Sequence, residues 1–177
     1  METKKIIALL SYLKNEKAET EIKDMDIIDD TILRIDGWDY YVLTEEERGE
    51  IFKEQQKALW DDMGLDAFSS SFIDEILYHC LDNQKMYYAC QYELIEYNEE
   101  TGEEEQMGLS WGYDNPIEYI YKEIDGKTAT DIINRYDLLD FEELCKRVVM
   151  WDGYAPTLAR YDGEEIELGD FYAYLIG

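Results

Sequence analysis

Seven glutamates, Glu93, Glu96, Glu99, Glu100, Glu103, Glu104 and Glu105, fall within thirteen positions, beside Tyr92 and Tyr97. Carboxylates can serve as general acids and bases, as metal ligands, or as a negative face for a cationic partner. The first use needs two acids set apart by their surroundings. Where acids are this plentiful any pair fits, so the pattern selects no catalyst. The second needs ligand spacing, and Asp24, Asp26, Asp29 and Asp30 do not match an EF-hand loop, nor does Asp162–Glu167. The third needs only density. Like charges this close repel one another, which costs stability in the free chain and is relieved by a cation.

Other reactive side chains are few. His79 is the only histidine, and no second histidine or cysteine pair in the sequence completes a metal site with it, so a structural role is expected. Cys80 adjoins it, but adjacent helical residues point about 100° apart and do not form a thiolate–imidazole pair. With Cys90 and Cys145 the cysteines are odd in number and lack CxxC spacing, which fits reduced thiols in a cytosol. Glu21-Ile22-Lys23 resembles the Glu-x-Lys half of a metal-dependent nuclease site, but lacks an upstream aspartate on a strand. A Walker lysine, a phosphate-cradling glycine loop and a Gly-x-Ser-x-Gly are all missing from the sequence. A non-enzymatic protein with no cofactor and no metal is expected.

Charge sets the class of partner. The 177 residues include 43 acids against 16 bases, a formal net charge of −27, while 46% are hydrophobic and 14% aromatic. That apolar fraction supplies a core and argues against disorder. By count, Met1–Lys23 holds 5 bases and 4 acids, so the negative charge belongs to the remainder. Such a body is repelled by nucleic acid and anionic lipid, and attracted to the basic surfaces that bind them. A plainly soluble acidic surface is the alternative, although 16 Tyr and 4 Trp separate the chain from halophile composition. The apolar run Ile6–Leu13 is too short to span a bilayer and no small-residue cleavage site follows, so a cytoplasmic protein is expected.

Lys4–Lys14 places Ile6, Leu9, Leu10 and Leu13 at helical spacing, and Asn15–Asp24 reads as a polar linker. Residues 1–23 are thus an N-terminal helix and linker, and 24–177 a single acidic α+β domain. The helix either packs on its own core, the simpler outcome, or reaches a second copy in a homodimer. Thr31–Ile35, Asp36-Gly37 and Trp38–Leu43 read as a hairpin. Thr44 and Glu47 frame a capping box for a helix to Met63, with Ile51, Phe52, Leu59, Trp60 and Met63 inward and Gly64 as its stop. Ser69–Ser71 cap a helix from Phe72 to Asp82. Tyr87–Tyr97 and Gln106–Tyr113 are read as the strands of the acidic hairpin about a turn at Asn98–Gly102, with a helix through Tyr87–Tyr97 as the alternative. Pro116 opens a short helix to Ile124, and Thr130–Tyr136 and Asp140–Trp151 are two more, the last capped by Asp140. Thr157–Tyr161 and Asp170–Ile176 read as a final hairpin. The class is α+β, with β-hairpins near both termini and in the middle and five or six helices between them.

Two stretches carry a likeness. Tyr41-Val42-Leu43-Thr44, Leu59-Trp60 and Ser71-Phe72-Ile73 lie within Trp38–Ile73, and Tyr161-Asp162-Gly163-Glu164-Glu165 precedes a terminal Phe171-Tyr172-Ala173-Tyr174 within Asp152–Tyr174. Over roughly a third of the chain these resemble a family of small acidic proteins found in phages and prophages of gut bacteria. Members carry Arg-Ile-Asn after the last Tyr, whereas Leu175-Ile176-Gly177 follows here, and Gly153–Ala159 departs too. The resemblance implies a setting and transfers no residue-level activity. It is similar in kind to anti-CRISPR and anti-restriction proteins that occupy basic DNA-binding grooves.

The expected function is that of an acidic inhibitor from a phage or mobile element, mimicking DNA on a host defence enzyme. A Cas9-type effector comes first, since its PAM-reading arginines and heteroduplex channel are basic; a restriction enzyme is the variant of the same idea. Direct nucleic-acid or membrane binding is not expected. Contact falls to Glu93, Glu96, Glu99, Glu100, Glu103, Glu104 and Glu105, with Asp162, Glu164, Glu165 and Glu167 as a second patch. The competing expectation is a phage adaptor that binds another protein through tyrosine-rich faces such as Glu118/Tyr119/Tyr121 and Asp170/Phe171/Tyr172.

Overall fold

In the computed structural model of the chain, Asp36 and Gly37 both take positive φ, 50° and 86°. This is the geometry of a tight turn whose twist matches that of its strands. It joins β2 (Ile32–Ile35) to β3 (Trp38–Leu43) in the expected hairpin. The structure describes residues 1–16, 22–86, 95–98, 103–106, 116–160 and 162–177, of which 95–98 and 103–106 are described as backbone. The chain divides into two units, Met1–Lys57 with Val149–Gly177, and Ala58–Val148.

The first unit is built on an antiparallel sheet in the order β1-β2-β3-β7-β6, where β1 is Met25–Ile27, β6 is Ile166–Glu167 and β7 is Tyr172–Leu175. Period-two alternation turns Leu33, Ile35, Tyr40, Val42 and Ala173 to one face. Helix α1 (Thr3–Glu16) lays Leu9 and Leu13 into that face to close a core. Leu9 and Leu13 of the N-terminal helix are buried in the core of its own unit. Helix α2 (Glu45–Met63) starts with the expected reciprocal cap: the Thr44 N–H donates to Glu47 Oε2 at 2.7 Å, and the Glu47 N–H to Thr44 Oγ1 at 3.3 Å.

The end of the chain differs from expectation. The sequence pattern predicts a strand over Thr157–Tyr161, but Ala155–Leu158 is a short helix, labelled α7 below. Pro156 in its first turn brings a φ preset for helix, and Leu158 is buried. The strand partner of β7 on that side is the two-residue β6, with Ile166 opposite Ala173. On its other side β7 pairs with β3, Val42 opposite Ala173. Strand β1 was not anticipated.

In the second unit Gly64, at φ 57°, stops α2 and opens a 3-10 turn over Gly64–Ala67. Met63, expected inward, is exposed because it sits on the last turn before this break. Helix α3 (Ser70–His79) buries Phe72, Ile73, Ile76 and Leu77. The strands β4 (Ile95–Asn98) and β5 (Glu103–Gln106) pair antiparallel. Pairing therefore begins at Glu103, whereas the second strand was expected from Gln106; Tyr87–Leu94 and Met107–Tyr113 lie outside the described residues. Helix α4 (Pro116–Tyr119) opens on Pro116 as expected and passes into a wide turn at Ile120–Ile124. Helix α5 (Gly126–Arg135) starts four residues earlier than the expected Thr130, because Asp125 caps it, accepting from the Thr128 N–H at 2.7 Å. Helix α6 (Phe141–Asp152) has the expected Asp140 cap, which accepts from the Glu143 N–H at 3.0 Å. The fold is α+β.

Candidate functional site

The β4–β5 ribbon sets Glu96 opposite Glu105, Tyr97 opposite Glu104 and Asn98 opposite Glu103. Because strand residues alternate between faces, the register positions of Glu96, Glu103 and Glu105 share one face and Glu104 takes the other. The pleat separates alternate positions on a strand by about 6.7 Å. Acidic positions thus recur on one face of a two-stranded ribbon. Glu93, Glu99 and Glu100 lie outside the described residues.

The second expected patch divides. Asp162 and Glu164 are exposed, in a turn where Asp162 Oδ1 accepts from the Glu164 N–H at 3.0 Å, and Glu167 is exposed on β6. Glu165 is committed inward. It receives Arg48 Nη1 at 3.1 Å and the Tyr174 hydroxyl, while Arg48 Nη2 reaches Glu45 at 2.5 Å. The Arg48 guanidinium carbon lies 3.6 Å from the centre of the Tyr172 ring and 4.1 Å from that of Tyr154. A planar, weakly hydrated cation suits such a stack as an ammonium would not. Burial works against the charge, yet Glu45, Tyr174 and Glu165 outweigh it and raise Arg48 above its ordinary value. Burial and the Glu165 bond likewise push the Tyr174 hydroxyl up. This cluster was missed in the sequence. Glu45 and Arg48 at i,i+3 were its only local sign; the rings and Glu165 come from the far end of the chain.

Other cations are also held by carboxylates of their own unit. Lys5 is 2% exposed and gives both Glu47 oxygens bonds, at 2.6 and 2.7 Å. Burial alone would raise the Glu47 carboxyl, but Lys5 and the Thr44 N–H and hydroxyl hold it below its ordinary 4.5. Arg34 grips Asp39 with two bonds of 2.6 and 2.8 Å. Arg147 spans Glu75 and Glu143 at 2.8 and 2.9 Å. Lys122 reaches the buried Glu118 at 2.6 Å, and the Tyr78 hydroxyl donates to the same carboxylate at 3.2 Å. Much of the small cationic complement is spent on internal pairing.

Cys80 and His79 are both among the described residues. Burial pushes the Cys80 thiol up to about 12, leaving it protonated at neutral pH and unsuited to attack. His79 is half exposed at the end of α3, 3.9 Å from Glu75. Among the described residues, no three His, Cys, Asp or Glu side chains converge as a metal site would require. In the second unit a cavity of about 360 Å³ is lined by Trp60, Asp61, Asp62, Asp66, Lys127 and Asp131, among others. Four aspartates share its wall with Lys127, Met63, Thr130 and Asn134, and the Trp60 indole N–H donates to Asn134 at 2.9 Å. No helix among the described residues is long and apolar enough to cross a membrane. No family model, curated protein or solved structure matches the chain.

Proposed function

We propose that this chain is an acidic inhibitor that occupies the basic groove of a nucleic-acid-binding defence enzyme, a Cas9-type effector first and a restriction enzyme second. The observation that carries the reading is the internal commitment of the cations. With Lys5, Arg34, Arg48, Lys122 and Arg147 each bound to carboxylates of their own unit, the acids among the residues of described burial are, apart from Glu118, exposed or half-buried. A negative field of this kind steers the chain to cationic clefts and away from phosphate. The β4–β5 ribbon, with Asp162, Glu164 and Glu167, supplies the contacts; Glu165 is retired from that set because Arg48 and Tyr174 hold it. The phage setting rests on the resemblance of Trp38–Ile73 and Asp152–Tyr174.

The test is DNA cleavage by a Cas9-type effector, and by a restriction enzyme, titrated with the protein at low and physiological salt. Inhibition should weaken as salt rises. Replacing Glu99, Glu100, Glu103, Glu104 and Glu105 together with Gln should weaken it by roughly a hundredfold and flatten the salt response. A folded variant that still inhibits fully removes the ribbon from the mechanism, and a wild-type protein that inhibits neither enzyme overturns the reading.

A second reading draws on exposed apolar residues near the end of α6. Met150 is 70% and its neighbour Trp151 50% exposed on α6, an arrangement suited to an aromatic anchor. An adaptor bound in this way would hold its partner with little salt dependence, the opposite outcome to a mimic.

A further inference from the structure

We propose that the β1 edge of the sheet is a docking site for an extended basic segment of a partner protein, alternating Lys or Arg with apolar residues and added as one more strand. Among the described residues, no strand lies beyond β1 in the order β1-β2-β3-β7-β6. Its register with β2 sets Met25 opposite Ile35, Asp26 opposite Arg34 and Ile27 opposite Leu33. The Asp36 N–H donates to the Asp24 carbonyl at 3.1 Å and the Ile28 N–H to the Ile32 carbonyl at 3.0 Å. In an antiparallel ladder, bonded pairs recur at every second residue. Asp24, Asp26 and Ile28 therefore bond inward to β2, and the N–H and C=O groups of Met25 and Ile27 point outward, the row a new strand would use.

Side chains say what that strand must be. Met25 and Ile27 stand on the core face beside buried Ile35 and Leu33, yet are 41% and 51% exposed. They extend the apolar face past the described core, and an incoming strand would cover them with apolar residues. Asp24 and Asp26 stand exposed on the other face, and Arg34, across from Asp26, is committed to Asp39. Cationic side chains at the alternate positions complete that face. A second copy fits poorly: antiparallel β1–β1 pairing sets Asp26 against Asp26, and like charges directly opposite destabilise a ladder, besides bringing together two bodies of net −27. The edge is also preformed. Asp36 Oδ1 accepts from the Lys23 and Asp24 N–H groups at 2.9 and 3.0 Å, and Asp29 Oδ1 from the Thr31 and Ile32 N–H groups at 2.6 and 2.8 Å, so both ends of β1 are pinned before a partner arrives.

This site stands on the sheet edge alone, independent of the β4–β5 ribbon. Hydrogen exchange of the full chain, followed by NMR, tests it with a short peptide alternating lysine and valine. Controls are the same peptide N-methylated at alternate amides and a peptide alternating glutamate and valine. The Lys–Val peptide should slow exchange at the Met25 and Ile27 amides by roughly tenfold or more, while neither control does, and Asp26→Lys should shift the preference toward the Glu–Val peptide. Failure to bind overturns the proposal. So does binding that leaves those two amides unprotected, which would be general attraction to an acidic surface. Protection that grows with protein concentration alone would assign the edge to a second copy and overturn it as well.

Discussion

Arg48 concentrates more of the first unit's chemistry than any other side chain described. At 8% exposure it holds Glu45 from α2 and Glu165 from the segment before β6, between the rings of Tyr154 and Tyr172. Arg48→Met keeps the stem and removes the charge, leaving Glu165 without its cation. A cost of about 2–4 kcal/mol is expected, short of the largest values because Glu45 is mostly exposed and screened. Urea unfolding measures it, and a loss below ~0.5 kcal/mol would mean the cluster is ornamental to stability. Glu47 gives a pH signature. A carboxyl held low in the fold is protonated first in the unfolded chain, so its contribution is full above the ordinary 4.5 and is lost as pH falls through the lower, folded value. The stability difference between wild type and Glu47→Gln should shrink with acid across that window. A difference constant with pH would contradict it.

At the scale of elements, the sharpest constraint is the junction after α2. Gly64 sits at φ 57°, and a Cβ there would lie 2.2 Å from Thr130 Cγ2. Thr130 is not free to turn aside, since its hydroxyl donates to the Gly126 carbonyl at 2.9 Å and accepts from the Leu65 N–H at 3.1 Å. Gly64→Ala should therefore cost clearly more than the roughly 1 kcal/mol of left-handed strain alone. Gly163→Ala, at φ 71° with open space around its Cβ, should cost only that strain. Equal losses in the two variants, by thermal or urea unfolding, would refute the packing argument. The α7 segment teaches the complementary lesson. Thr157–Tyr161 looks like strand by composition, but Pro156 presets a helical first turn and burial of Leu158 fixes the outcome.

At the scale of the molecule, a net −27 sets a standing self-repulsion. Added salt should raise unfolding stability, most steeply up to physiological strength, where the screening length is about 8 Å. Thermal unfolding across a sodium chloride series checks this; a flat response would mean the acids are too dispersed to repel one another. Several features were legible without coordinates. The Asp36-Gly37 hairpin, the Thr44–Glu47 cap, the Gly64 stop, the Asp140 cap and the α+β class all follow from backbone chemistry confined to a few neighbouring residues. Net charge is likewise a sum over the chain, so composition alone sets it. What only the tertiary structure decided is pairing across distance. Whether Glu165 faces a partner or Arg48, whether Lys5 is solvated or buried on Glu47, and whether Met25–Ile27 pairs as an edge strand each depend on residues brought together by folding. Local pattern holds no term for a contact across a hundred residues, because that contact's energy exists only once the sheet has closed around it.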